Sequence, residues 1–268
     1  SLAAESAELD DTYADVMKTT GLAKDSVENL NEAFKKIDTR TSREELNKLA
    51  YEAGKLGISS EEDVLKFVKA ADKINVALGD VLGDDAMVQI GKLSMIYKDS
   101  TAMMQGQDLE KQMLAIGSAV NMLGQSSTAN EAYMIDFMGR LGGIAVQAGL
   151  SADQILGFAS ALDQDMQKVE MSATAFQKLI QMMIQKPEQF AETAGKSVKD
   201  FSNLIKTDMN EAVMSVLKGF QGKNGYDELV LLFKDLGLDG ARAAQAISSL
   251  TNSIDEINTA QAIANKEI

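Results

Sequence analysis

Apolar residues recur at steps of three and four along almost the whole chain, the period of a helix that buries one face. Leu46, Leu49, Ala50, Ala53 and Leu56 form one such stripe. Val64, Val68, Ala71, Asn75 and Leu78 form the next, widened by Phe67 and Ile74, and Leu229, Leu232, Phe233 and Leu236 repeat the pattern late in the chain. No segment sustains the alternation of period two that marks a half-buried strand. The pattern predicts an all-α fold, an irregular bundle of roughly ten or more short helices with no sheet.

The residues between the stripes carry start and stop signals. Ser59 with Glu62, and Ser151 with Gln154, have the spacing of capping boxes, and Leu150 and Ile155 bracket the second as a hydrophobic staple. Pro187, the only proline, suits the first turn of a short helix. Asp84, Ser197 and Asp208 are further N-cap candidates. One tripeptide pattern recurs as Gly57-Ile58-Ser59, Gly149-Leu150-Ser151 and Gly237-Leu238-Asp239. Glycine can take the left-handed position that ends a helix, the apolar residue folds back, and Ser or Asp caps the next helix. Such corners turn the chain without a long loop and predict a compact bundle rather than a rod.

The ends have another pattern. Ile247, Leu250, Ile254 and Ile257, continued by Gln261, Ala264 and Ile268, form a heptad-like seam, and Leu2, Ser6, Leu9, Tyr13 and Val16 form a weaker one. Both ends read as parts of longer helices. The expected organisation is an N-terminal helix over residues 1–20, a helical core over 21–246 with room for two lobes dividing near residue 100, and a C-terminal heptad-like helix over 247–268. Ile247, Leu250, Ile254 and Ile257 are the candidate helix–helix contact residues.

Composition narrows the chemistry. The 268 residues contain no Cys, His or Trp and one Pro, and the formal net charge is −14. Without Cys there is no disulfide, and without Cys or His the metal donors are oxygens alone. Histidine-based acid–base chemistry and His-containing triads are excluded. The acidic balance predicts no nucleic-acid surface. Lys35, Lys36, Arg40 and Arg43 alternate with Asp38, Glu44 and Glu45, the pattern of a solvated face rather than a basic patch. The first residues carry acids and no apolar signal core, and the longest uncharged run, Gln112 to Asn130, is too polar to cross a membrane.

Several segments resemble active motifs and fail on inspection. Gly195-Lys196-Ser197 ends like a phosphate-binding loop, but the first glycine of that motif would fall on Phe190. Asp163, Asp165 and Gln167 open like a calcium loop, but Lys168 and Thr174 occupy the positions that need Gly and Glu. Glu61-Glu62-Asp63 and Asp84-Asp85 follow helix-start signals, where the helix dipole favours carboxylates. The fifteen methionines, concentrated between Met87 and Met183 with pairs at Met103-Met104 and Met182-Met183, read as core filler, with an adaptable binding face as the alternative. No catalytic, cofactor-binding or metal-binding residue is expected, and no enzymatic activity.

Ordered blocks of the sequence resemble the core region of phage tail tape measure proteins. They include Thr41-Ser42-Arg43-Glu44-Glu45-Leu46, Lys55 to Ser60, Ala70-Ala71-Asp72, Val76 to Asp80, Asn130-Glu131-Ala132-Tyr133 with Arg140-Leu141, Gln147 to Ser151, Ala161 to Asp163, Glu170 to Ala175, and Gly237 to Arg242. The resemblance spans roughly Tyr13 to Leu250. It implies a structural segment involved in tail assembly and tail-length determination, encoded by phage or prophage. It further implies assembly in the bacterial cytoplasm and a place in the tail lumen or tip. The implied partners are other tape measure chains, tail tube subunits and assembly chaperones, with neither nucleic acid nor membrane bound by this segment and no cofactor. The alternative is a helical interaction adaptor using a Met-rich face.

Overall fold

A computed structural model describes the chain except Ser1, Asp84, Asp85, Ala102, Met103, Lys223, Leu236 and Leu238, and except the side chains of residues 2–8 and of Ala86. The cap and acidic pair expected at Asp84-Asp85, Met103, Leu236 and Leu238, and the side chains of Leu2 and Ser6 therefore lie outside the described residues. Among the described residues there are fifteen α-helices and no strand, as the apolar period predicts. The chain forms two compact units, one of residues 1–95 and 106–118, the other of residues 96–105 and 119–268.

The first unit contains α1 (Leu2–Thr20), α2 (Lys24–Phe34), α3 (Arg43–Lys55), α4 (Glu61–Leu82), most of α5 (Ala86–Ile96) and the start of α6 (Leu109–Ser126). Helix α3 packs between α1 and α4. Its stripe is buried as the spacing requires, with Leu46, Ala50 and Ala53 inaccessible to solvent or nearly so. A Cβ at Gly54 would lie 2.3 Å from the Thr19 hydroxyl, so the approach of α1 to α3 depends on that glycine. Asn31 of α2 and Asn47 of α3, both buried, exchange amide hydrogen bonds of 3.0 and 2.7 Å and so fix the register of the two helices.

The second unit is arranged around α9 (Ala152–Gln164), which packs against α7 (Glu131–Leu141), α14 (Gly240–Thr251) and α15 (Ile254–Glu267). Helix α10 (Val169–Gln185) packs against α7 and α14. Phe176 of α10 stands 4.8 Å from the Phe158 ring and 5.8 Å from the Phe137 ring, joining α7, α9 and α10 at one aromatic cluster. The short α8 (Gly143–Gln147), α11 (Val198–Thr207), α12 (Met209–Gly219) and α13 (Gly225–Asp235) complete the unit. Pro187 opens a 3-10 turn over Pro187–Gln189, as its fixed φ favours.

The glycine corners form by the anticipated hydrogen bonds. Beyond α3, Gly57 has φ +86, Ile58 N–H donates to Ala53 O at 3.1 Å and Gly57 N–H to Gly54 O at 3.0 Å. Gly149 has φ +96, with Leu150 donating to Ala145 O at 2.9 Å. Ile58 and Leu150 are buried. Gly237 has φ +75, and Asp239 caps α14 by accepting from Arg242 N–H at 3.2 Å. Gln154 Oε1 accepts from Ser151 N–H at 3.0 Å, closing the expected capping box. The cap of α4 is displaced by one residue from expectation. Ser60, not Ser59, accepts from Asp63 N–H at 3.1 Å, because α4 starts at Glu61.

The C-terminal segment is not one continuous helix. Helix α14 stops at Thr251, Asn252 and Ser253 turn the chain, and α15 starts at Ile254. The heptad spacing continues across this break with no glycine or proline to mark it.

Candidate helix-docking site

The four seam residues lie on either side of that break. Ile247 and Leu250 on α14 and Ile257 on α15 are fully buried, while Ile254 is half-buried. Within the chain, α9 is the main partner of α15.

Docking of α15 rests on small residues and an amide ladder. Ile257, Ala260 and Ala264 supply its buried face at steps of three and four. On α9, Gly157 lets the helices close, since a Cβ there would lie 2.2 Å from Gln261 Cγ and 3.2 Å from Ile257 O. Gln261 donates from Nε2 to Gln154 O at 3.1 Å and to Asn210 Oδ1 at 2.9 Å, and accepts at Oε1 from Asn210 Nδ2 at 3.1 Å. One amide thereby ties α15 to both α9 and α12. A turn later, Asn265 Nδ2 donates to the buried Asp153 carboxylate at 3.1 Å, which also accepts from the Ser151 hydroxyl. A buried carboxylate is tolerable when its oxygens are paired in this way. Sequence spacing places Gln261 in the seam, but only the partner helix reveals that its amide, rather than an apolar group, is what the position needs.

A groove of about 230 Å³ runs beside α15, lined by Leu123, Ser127, Ser160, Gln164, Glu256 and Thr259 among others. Ordinary small-molecule sites occupy about 300–1,000 Å³ and are mostly apolar. This groove is smaller, and hydroxyl, amide and carboxylate groups share its lining with Leu123, Ala260 and Ile263. A larger hollow of about 450 Å³ in the first unit is bordered by Lys36, Lys69, Lys73, Asp38, Asp72 and Glu110. Three ammonium and three carboxylate groups leave it no preference for a charged ligand, and Asp72 is already engaged by the Thr41 hydroxyl.

Among the described residues, the motif-like segments prove to be helix ends. At Gly195-Lys196-Ser197, Gly195 has φ +72, Lys196 N–H donates to Ala191 O at 2.9 Å, and Ser197 caps α11 by accepting from Asp200 N–H at 3.1 Å. It is a fourth corner of the recurring type, with lysine in the apolar slot. The Asp163–Gln167 stretch is the C-terminal stop of α9: Met166 takes φ +59, and Gln167 N–H donates to Leu162 O at 3.0 Å. Glu61, Glu62 and Asp63 occupy the first turn of α4. Glu62 pairs with Lys66 at 3.2 Å, and that hydrogen bond raises the Lys66 pKa. Asp208 caps α12 through Glu211 N–H at 3.0 Å. Among the described residues, no group of three or more Asp and Glu could hold a metal ion.

Burial decides the methionine question. Met182 and Met183 are buried, as are Met104, Met113, Met134 and Met138. They fill the core, and the Met182-Met183 pair builds no exposed binding face. Two tyrosines have raised pKa values. Burial pushes Tyr133 up to about 12, while Tyr97 is raised further by burial alone, its hydroxyl having no hydrogen-bond partner. Among the described residues, no helix is long and apolar enough to cross a membrane.

Fold and site together define an all-helical protein whose polar devices cap helices and lock them to one another. A model of the phage-related minor tail protein family matches residues 24–229, more than three quarters of the chain. The chain belongs to that family and is a phage tail component. Comparison with curated proteins gives no match, and comparison with solved structures gives none.

Proposed function

We propose that this chain is the helical core segment of a tail tape measure protein, of phage or prophage origin, acting in tail assembly and tail-length determination. The family match over residues 24–229 carries the reading. The ordered blocks from Thr41 to Arg242 that resemble tape measure cores narrow it within the family. The segment works by helix–helix contact in the tail lumen or tip, after assembly in the bacterial cytoplasm. Its partners are other tape measure chains, tail tube subunits and assembly chaperones. It acts without catalysis, in keeping with a sequence that has neither His nor Cys. It binds neither nucleic acid nor membrane, in keeping with its net charge of −14.

The test is genetic and visual. Deleting the parent gene from the phage or lysogen should abolish tails or leave their lengths uncontrolled in electron micrographs of induced particles. Normal tails of uniform native length would reject the tape measure role while leaving membership of the tail protein family intact.

A further inference from the structure

The sequence contains a single Asn-Gly pair, Asn224-Gly225, at the joint between α12 and α13. Packing requires the glycine. A Cβ at Gly225 would overlap Phe220 O, so the start of α13 closes on the end of α12 only because residue 225 has no side chain. Asn224 is exposed, and its carbonyl accepts the first helical bond of α13, from Glu228 N–H at 3.0 Å. Among the described residues its carboxamide has no hydrogen-bond partner. Six other helices are opened by side chains that are engaged: Ser42, Ser60, Asn130, Ser197, Asp208 and Asp239 each accept a backbone N–H of the first turn. Gly225 N–H is also loosely held, donating to Gly222 O at 3.4 Å, beyond the usual range for such a bond.

We propose that Asn224 is a site of spontaneous deamidation through a cyclic imide. The Gly225 nitrogen attacks Asn224 Cγ. The new C–N bond forms as the Cγ–Nδ2 bond breaks, and ammonia leaves with the proton from Gly225. Water then opens the five-membered ring at either carbonyl, giving aspartate or isoaspartate at position 224, with no oxidation or reduction. Glycine leaves its nitrogen open to this attack because it has no Cβ. A free carboxamide and a loosely held nitrogen meet at this one pair. Asp239-Gly240 is the informative contrast. It opens α14 in the same way, but the Asp239 carboxylate accepts from Arg242 N–H at 3.2 Å and meets the Arg242 guanidinium at 3.6 Å. Either product adds a negative charge at the N-terminus of α13, and isoaspartate also lengthens the main chain by a methylene at the tight joint with Phe220. The proposal rests on backbone chemistry and stands whether or not the tape measure reading holds.

Peptide mapping by mass spectrometry tests it, on the full chain held at mildly alkaline pH. The peptide carrying residue 224 should gain the mass difference between OH and NH2, and the chain should migrate further towards the anode. Conversion at Asn224 should run at least about tenfold faster than at Asn252, which is exposed and followed by Ser253. The rate in the folded chain should stay within about threefold of the rate in urea. Asn224→Gln should remove the fast conversion, since its longer side chain closes only a six-membered ring, and should leave the melting temperature unchanged. A folded chain that converts about tenfold or more slowly than the unfolded one would overturn the proposal, because the fold would then protect the pair. So would a charge shift that persists at the same rate in Asn224→Gln, which would place the reaction elsewhere.

Discussion

Helices α9 and α11 belong to the same unit and obey the same helical period, yet they meet opposite surroundings. Ten of the thirteen residues of α9 are buried, including Asp153, Gly157 and Ser160, against one of ten in α11. The apolar stripe of α11 is the cleaner of the two in sequence, because a helix at the surface must separate its greasy side from its wet side. A helix enclosed by α7, α14 and α15 has no wet side, so its polar residues are placed by particular partners instead. Asp153 meets Asn265, and Gly157 meets Gln261. Amphipathicity therefore marks where a helix faces solvent, while burial on several sides is marked by glycine and isolated polar residues in an otherwise apolar helix. Altering α9 should disturb stability, and altering α11 should chiefly disturb what the surface does.

The largest effect is expected at the aromatic cluster. Phe158 is fully buried and stacks at 4.8 Å on Phe176. Phe158→Ala removes that contact and leaves a cavity, at a cost of about 3–5 kcal/mol in unfolding free energy. Urea titration followed by circular dichroism measures it. A loss below about 1 kcal/mol would mean that α9 repacks freely and is not the centre of its unit.

Gly157→Ala comes next. The added methyl would collide with Gln261 and crowd Ile257 O, costing about 1–3 kcal/mol by forcing α15 outward. A double-mutant cycle sharpens the point. In a Gln261→Ala background the methyl gains room, so Gly157→Ala should cost less there than in the native chain. Equal costs in both backgrounds would show that the α9–α15 contact does not constrain that position.

Met166 ends α9 with φ +59 and is 89% exposed, a conformation normally given to glycine. Its side chain buries little, while the left-handed backbone costs an ordinary residue roughly 1–2 kcal/mol. Met166→Gly should therefore raise stability by about 0.5–1 kcal/mol, the gain being trimmed by the greater freedom of glycine in the unfolded chain. A fall in melting temperature would show that Met166 makes a contact that offsets its backbone strain.

How far such features were legible depended on whether their cause was local. The corner at Gly149 is written in three adjacent residues and formed as read, whereas the one at Gly57 formed with its cap one residue late, at Ser60. Gly195-Lys196-Ser197 is the same device, but Lys196 in the apolar slot concealed it, and Met166 concealed another by not being glycine. The seam residues Ile247, Leu250 and Ile257, picked from their spacing, are buried. Periodicity has no means of saying whether the partner is α9 of the same chain or a helix of another. The turn at Asn252-Ser253 has neither glycine nor proline, and the heptad spacing passes through it unchanged, so Ser253 three residues before Glu256 is its one local sign.

The smallest change in stability is expected on α11, and there the comparison is tested most directly. Val198 opens the helix just after the Ser197 cap, is 48% exposed, and lies beside the stripe rather than at its buried centre, Phe201. Val198→Ser removes an exposed apolar group and leaves the cap bond to Asp200 N–H in place, so unfolding free energy should move by no more than about 0.5 kcal/mol. If burial on several sides is what makes a helix indispensable to its unit, this variant melts with the native protein while Phe158→Ala does not. A loss at Val198 comparable with that at Phe158 would mean that α11 contributes to the core far beyond the one residue it buries, and the contrast between the two helices would fail.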